Sequence, residues 1–260
     1  MMEYGHGGDI YRNRNVELDF SVNVNPLGMP NFVWEAAQRS IAFCTGYPDS
    51  SCENLRGRLS ELTGVPEDQM IFGNGAAELI FRLVQEVRPK KAVIPAPSFT
   101  EYETALRSCG TEIAFFYLKE AESFFLNVSE FLDFLRTEQP EIIFLCTPAN
   151  PTGAMIRQAD LSKILDYCKK HGILLVLDEC FVEFLDEERN CGCIREFLDW
   201  ETGRPEHGGS LFLLRAFTKT YAMAGLRLGY GFCTSRQLLD RMEENWQPWS
   251  VSIPAQEAGY

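Results

Sequence analysis

The stretch EIIFLCTPANPTG, Glu141 to Gly153, decides how this 260-residue chain is read. Five apolar residues follow Glu141 with no polar residue between them. A strand with one face in water alternates apolar and polar residues. An unbroken apolar run of strand length is instead a strand covered on both faces. The run stops at Thr147-Pro148-Ala149-Asn150-Pro151-Thr152-Gly153, where prolines and glycine impose a stiff turn. The spacing predicts a buried strand over Glu141–Cys146.

Working outward, Ile173–Leu177 repeats the pattern and ends at Asp178-Glu179. Lys91–Pro95, Glu112–Leu118, Leu211–Leu214 and Leu228–Cys233 also read as strands. Helical stretches lie between them: Glu78–Val87, Phe99 to about Cys109, and Ser129–Thr137 after a cap at Asn127 or Ser129. A further helix, capped by Asp160, carries Leu161, Ile164, Leu165 and Cys168 on one face and ends at Gly172. Buried strands alternating with amphipathic helices predict an α/β fold: three α/β/α layers around a mainly parallel sheet. Open sheets of this kind bind ligands beyond the carboxyl ends of their strands. The polar residues just after each strand are therefore the candidates for chemistry.

Composition narrows the class. The chain is 45% hydrophobic and 23% charged, enough for one large core. A net charge of -13 argues against nucleic acid or an anionic membrane surface as partner. The nine cysteines are scattered and odd in number, with Cys191-Gly192-Cys193 the only close pair. The histidines, 6, 171 and 207, offer no metal-ligand spacing beside that pair, so no metal is expected. Residues 1–20 lack an apolar signal core, and no apolar run approaches a membrane span. Reduced thiols in a cytoplasmic protein are the expectation.

Six groups stand near strand or turn ends. Asp178 follows an aliphatic run, where a carboxylate is costly to bury without a positive partner or hydrogen-bond donors. It serves either as a cap or as partner to a protonated ring nitrogen. Lys219, in RAFTKTYAMAGLRLGYGF (Arg215–Phe232), lies among apolar residues. Such a setting lowers an amine's pKa and makes it a nucleophile toward an aldehyde. Arg227 and Thr218 supply phosphate donors. The turn Gly73-Asn74-Gly75-Ala76-Ala77 opens a helix whose free N–H groups suit the same phosphate. Tyr102 can stack on a flat ring or fill the core, and Asn150 is held between Pro148 and Pro151. An amine for an aldehyde, an acid for a ring nitrogen and a phosphate cup together describe pyridoxal phosphate. No GxGxxG follows a strand, which sets a dinucleotide-binding alternative aside.

The set GNGAAE, PSFTEY, TPANPTG, LDE and TKTYAMAGLRLGY resembles the fold-type-I aminotransferases, in order and spacing. Two further stretches, HGGDI at His6–Ile10 and LDFSVNVNPLG at Leu18–Gly28, resemble the threonine-phosphate decarboxylases of cobalamin biosynthesis, as do Phe181 and Pro248-Trp249-Ser250-Val251. That group is itself similar to the histidinol-phosphate aminotransferases. The resemblance implies that Lys219 is joined to the cofactor, Asp178 pairs with its ring nitrogen and Asn150 with its ring hydroxyl. It implies that Tyr102 stacks on the ring, while Gly75, Ala76, Ala77, Thr218 and Arg227 hold the phosphate. Tyr47 would reach the site of a neighbouring subunit in a homodimer. His6, Gly7, Asn23 and Asn150 would contact a phosphorylated amino-acid substrate. Two positions depart from the pattern: Ala216 stands where a phosphate-binding serine is common, and Asp9 where asparagine is usual. The implied organisation is an arm over 1–45, a cofactor-binding domain over 46–254, and the start of a linker helix over 255–260. The small domain that carries the substrate-carboxylate arginine in this family is expected to lie outside residues 1–260. Three activities follow from the resemblance: decarboxylation of a phosphorylated amino acid, transamination, or cofactor binding without turnover.

Overall fold

The computed structural model describes residues 7–9, 11, 14–186, 192–202 and 210–260. Seven strands form one sheet: β1 (Met70–Asn74), β2 (Lys91–Ala96), β3 (Glu112–Tyr117), β4 (Ile142–Cys146), β5 (Leu174–Asp178), β6 (Leu211–Ala216) and β7 (Leu228–Cys233). Their order is β1-β7-β6-β5-β4-β2-β3. The pairs β2–β3, β2–β4, β4–β5 and β5–β6 are parallel, and β7 runs antiparallel to both β6 and β1. Every strand but β7 therefore ends at the same edge, and β7 begins there.

Helices cover both faces, as the unbroken apolar runs require. In β4, Ile143 and Leu145 enter one hydrophobic cluster while Ile142 and Phe144 enter the other. β5 divides likewise, Leu175 and Leu177 against Leu174 and Val176. The first cluster is closed by α1 (Asn31–Ser40), α2 (Glu53–Thr63), α5 (Val128–Glu138), α6 (Gln158–His171), α7 (Ile194–Thr202) and α10 (Ile253–Gly259). The second is closed by α3 (Ala76–Val87), α4 (Thr100–Ser108) and α9 (Arg236–Glu244). A four-residue turn, α8 (Phe217–Thr220), follows β6. No described helix is long and apolar enough to cross a membrane, and no disulfide joins the described cysteines.

The predicted strands fall within two residues of the observed ones. Asn127 caps α5, accepting from the N–H groups of Ser129 and Glu130. Gly172 ends α6 in the left-handed conformation at φ 70°. Asp160 is a correction: α6 begins earlier, after Arg157, so Asp160 lies in its first turn instead of capping it. Its buried carboxylate takes Arg157 and Lys163 as ion-pair partners. Two features of the sheet, besides the helices α1, α2, α7 and α9, were not predicted. One is β1, short and ending in Gly73-Asn74. The other is the reversed direction of β7, since a strand buried on both faces has the same composition either way. Gly231 permits that close pairing, because a Cβ there would meet the Phe212 ring at 2.6 Å.

Candidate active site

The shared edge collects the residues singled out in the sequence. Asp178 is the last residue of β5, Lys219 lies in the turn after β6, Gly75 follows β1, Asn150 follows β4, and Tyr102 sits on α4 after β2. Arg227 directly precedes β7, whose register sets Leu228 opposite Asn74 and Gly229 opposite both Gly73 and Ala216. One antiparallel strand thus brings the glycine turn and the Lys219 turn together.

Asp178 is 5% exposed. Its Oδ2 accepts from the Tyr102 hydroxyl at 2.6 Å and its Oδ1 from the Cys180 N–H at 2.9 Å. Burial raises its pKa above the ordinary carboxylate value, against the opposing pull of those hydrogen bonds. No cationic side chain among the described residues hydrogen-bonds this carboxylate. Lys219 is half-buried, and its side-chain amine forms no hydrogen bond or ion pair among the described residues. Burial lowers its pKa, and the Arg227 charge adds to the fall, while Cys180 and Asp178 oppose it. A buried carboxylate with no cation hydrogen-bonded to it among the described residues thus lies within electrostatic reach of an amine whose pKa burial lowers. That pairing suits a ligand with a protonated ring nitrogen at one end and a carbonyl at the other.

The phosphate end is also built. α3 starts at Ala76 with no side-chain cap, so its first N–H groups are open to an anion. Gly75 has φ 80° and ψ 163°, a conformation that essentially only glycine adopts, and a Cβ there would overlap the Arg227 guanidinium. A Cβ on Gly229 would overlap the Ala76 N–H. Arg227 is exposed, has φ 61°, and donates to the Ala224 carbonyl at 3.2 Å. Thr218 is buried, and the Thr220 hydroxyl is buried with no partner. We expect Gly75→Ala to lower the unfolding free energy by about 1–3 kcal/mol through backbone strain. Urea denaturation measures this, and an unchanged midpoint would show that the turn relaxes freely.

Other expected residues are placed less uniformly. Asn150 is half-buried, and its backbone N–H bonds the Cys146 thiol, which also contacts Tyr102. Ala76 and Ala77 are half-buried at the start of α3. Tyr102 takes the second of the two placements its position allowed, in the core. Its ring is 1% exposed and stacked on Phe144 at 4.9 Å, in the core beneath Asp178. The hydroxyl-to-carboxylate bond accounts for that position. Tyr47 is exposed and stacked on Trp249 at 4.4 Å. Gly7 and Asn23 are exposed. A Cβ on Gly7 would overlap the Ser21 carbonyl, and the Gly8 N–H donates to Ser21 Oγ at 2.8 Å, so the two arm segments lie together. His6, His207 and Cys191 lie outside the described residues. Among the described residues no cluster is suited to a metal ion.

Two contributors escaped the sequence reading. Asn25 ties the arm to the lysine turn: its backbone N–H donates to the Lys219 carbonyl at 3.0 Å and its side chain to the Thr220 carbonyl at 2.8 Å. Glu179 and Arg215 form a buried pair at 2.6 Å. The asparagine belonged to a quoted motif, but nothing local revealed its partner nearly 200 residues away.

The sequence pattern described as aminotransferase class I and II matches residues 15–259. The chain belongs to that family. Within this pyridoxal-phosphate-dependent family, the chain is 36% identical over 261 residues to the threonine-phosphate decarboxylase of Salmonella typhimurium, covering 98% of this chain and 68% of that one. It is 32% identical over 242 residues to the histidinol-phosphate aminotransferase of Methanosarcina barkeri, covering 91% of this chain and 60% of the relative. The crystal structure of the histidinol-phosphate aminotransferase from Clostridium acetobutylicum superposes with a TM-score of 0.79 at 25% identity, covering 92% of this chain and 67% of that one. The chain thus spans about two thirds of the length of these class I and II relatives.

Proposed function

We propose that this chain carries the cofactor-binding part of a pyridoxal-phosphate-dependent decarboxylase for a phosphorylated amino acid. O-phospho-L-threonine is the favoured substrate, with carbon dioxide and (R)-1-amino-2-propanol O-2-phosphate as products, in cobalamin biosynthesis. The observation that carries this reading is the buried Asp178 carboxylate, with no cation hydrogen-bonded to it among the described residues, within electrostatic reach of the half-buried Lys219 amine. The 36% identity to the Salmonella decarboxylase supports the choice of reaction.

Pyridoxal phosphate, when bound, supplies an electron sink for a bond at the substrate α-carbon. Asp178 would hold the proton on the ring nitrogen, and Tyr102 and the Cys180 N–H fix that carboxylate. Asn150 would hold the ring hydroxyl. Gly75, Ala76, Ala77, Thr218 and Arg227 would hold the phosphate. Lys219 would bind the cofactor covalently and return a proton to the α-carbon. His6, Gly7 and Asn23 would grip the substrate phosphate and so select which α-carbon bond is aligned to break. Tyr47 would act in the neighbouring subunit of a cytoplasmic homodimer; its exposure supports this.

Transamination of histidinol phosphate is the second reading, favoured by the 32% identity to the Methanosarcina enzyme. An assay with O-phospho-L-threonine separates the two. Carbon dioxide release without 2-oxoglutarate consumption supports decarboxylation, and turnover that requires a keto acid overturns it.

A further inference from the structure

Asp178 and Lys219 hang from the ends of adjacent parallel strands. The last backbone bond between those ends runs from the Glu179 N–H to the Leu214 carbonyl at 2.8 Å. Beyond it β5 turns away while β6 continues to Ala216. One side-chain tie bridges the divergence. Glu179 Oε2 accepts from Arg215 Nε at 3.0 Å and Nη2 at 2.6 Å, and Glu179 Oε1 accepts from the Cys193 N–H at 2.7 Å. Arg215 also stands opposite Tyr230, its register partner on β7. Glu179 is 2% exposed and Arg215 8%. Tyr230 and Cys193 belong to the first hydrophobic cluster, whereas Tyr102 and Cys180, around the Asp178 carboxylate, belong to the second. The pair therefore lies on the far side of the sheet from the Asp178 carboxylate.

A buried ion pair gives little net stability over well-packed apolar residues of the same volume, because desolvation offsets the attraction. It does fix geometry, since an arginine donating through two nitrogens accepts few alternatives. Here the fixed geometry is the relation between the strand ends that carry Asp178 and Lys219. We propose that Glu179 and Arg215 are positioning residues that set the separation of Asp178 from Lys219. The inference rests on the reading of those two residues as the cofactor's partners.

The test compares full-length wild type with Glu179→Leu/Arg215→Met and with Arg215→Lys. Urea midpoints, pyridoxal phosphate affinity, the pH at which the absorbance of the Lys219-bound cofactor titrates, kcat and KM are measured. The apolar pair is expected to keep a midpoint near wild type. Its absorbance titration is expected to shift, and kcat to fall about 10–100-fold with KM little changed. Arg215→Lys keeps the charge but not the two-nitrogen contact, and is expected to lie between the two even if the apolar pair fails to fold. Wild-type titration and kcat in either variant, with Lys219 of the wild type normally labelled after borohydride, overturn the positioning role alone. No borohydride-fixed label on Lys219 in the wild type overturns the parent reading, and this inference with it.

Discussion

Lys219→Ala is expected to abolish covalent attachment of pyridoxal phosphate and to lower kcat by at least about 10³-fold, through loss of both nucleophile and proton carrier. Lys219 is half-buried, and burial, with the Arg227 charge, favours its neutral amine. An ordinary surface lysine, near 10.5, would be almost wholly protonated and unreactive at neutral pH. Covalent attachment by the wild type should therefore strengthen as pH rises toward the lowered pKa. The same substitution should leave the fold intact, because the ammonium has no hydrogen-bond partner among the described residues to abandon. Absorbance of the bound cofactor, mass spectrometry after borohydride reduction, steady-state kinetics and a urea midpoint test each part. A fixed label elsewhere in the chain, or kcat within tenfold of wild type, would remove Lys219 from the chemistry.

What the sequence disclosed follows from which forces act locally. Ile142–Cys146 and Ile173–Leu177 are legible because a strand covered on both faces must be apolar at every position. Asp178 is legible because it ends such a run, and the end of a parallel strand is where ligands bind. β1 was hidden because Met70–Asn74 is short and closes with glycine and asparagine, residues that ordinarily signal a turn. The direction of β7 was hidden because burial does not record polarity. Tyr102 shows the limit for single side chains. Helical spacing places an aromatic residue there, but only the fold reveals that its hydroxyl meets a carboxylate 76 residues away. Glu179 reads locally as a charged turn residue beside Asp178. Its partner Arg215 is 36 residues distant, and their burial depends on two strands becoming neighbours.

Asp178→Asn separates the function of that carboxylate from its cost to the fold. The substitution keeps shape and hydrogen bonding: the amide oxygen accepts from the Cys180 N–H, and the Tyr102 hydroxyl turns to accept from the new NH₂ group. What disappears is a buried negative charge. Without it a protonated ring nitrogen loses its stabilising partner, and kcat is expected to fall about 10²–10³-fold. Stability should move the other way. Burial raises the folded pKa of Asp178 above its ordinary value of 3.8, so the native state holds the proton more tightly than the unfolded chain. That contribution is complete below the unfolded value and is lost as pH rises through the folded one. The asparagine variant has no such group, so its cofactor-free form should have a higher urea midpoint at neutral pH and a flatter stability profile above pH 3.8. A midpoint below wild type with an unchanged pH profile would mean the carboxylate is compensated by a group other than Tyr102 and Cys180. A kcat within tenfold of wild type would mean the ring nitrogen does not depend on it. A site that is destabilised by its own charge until a cationic ligand arrives is selective for that ligand, because only the ligand's positive end relieves the unpaired carboxylate.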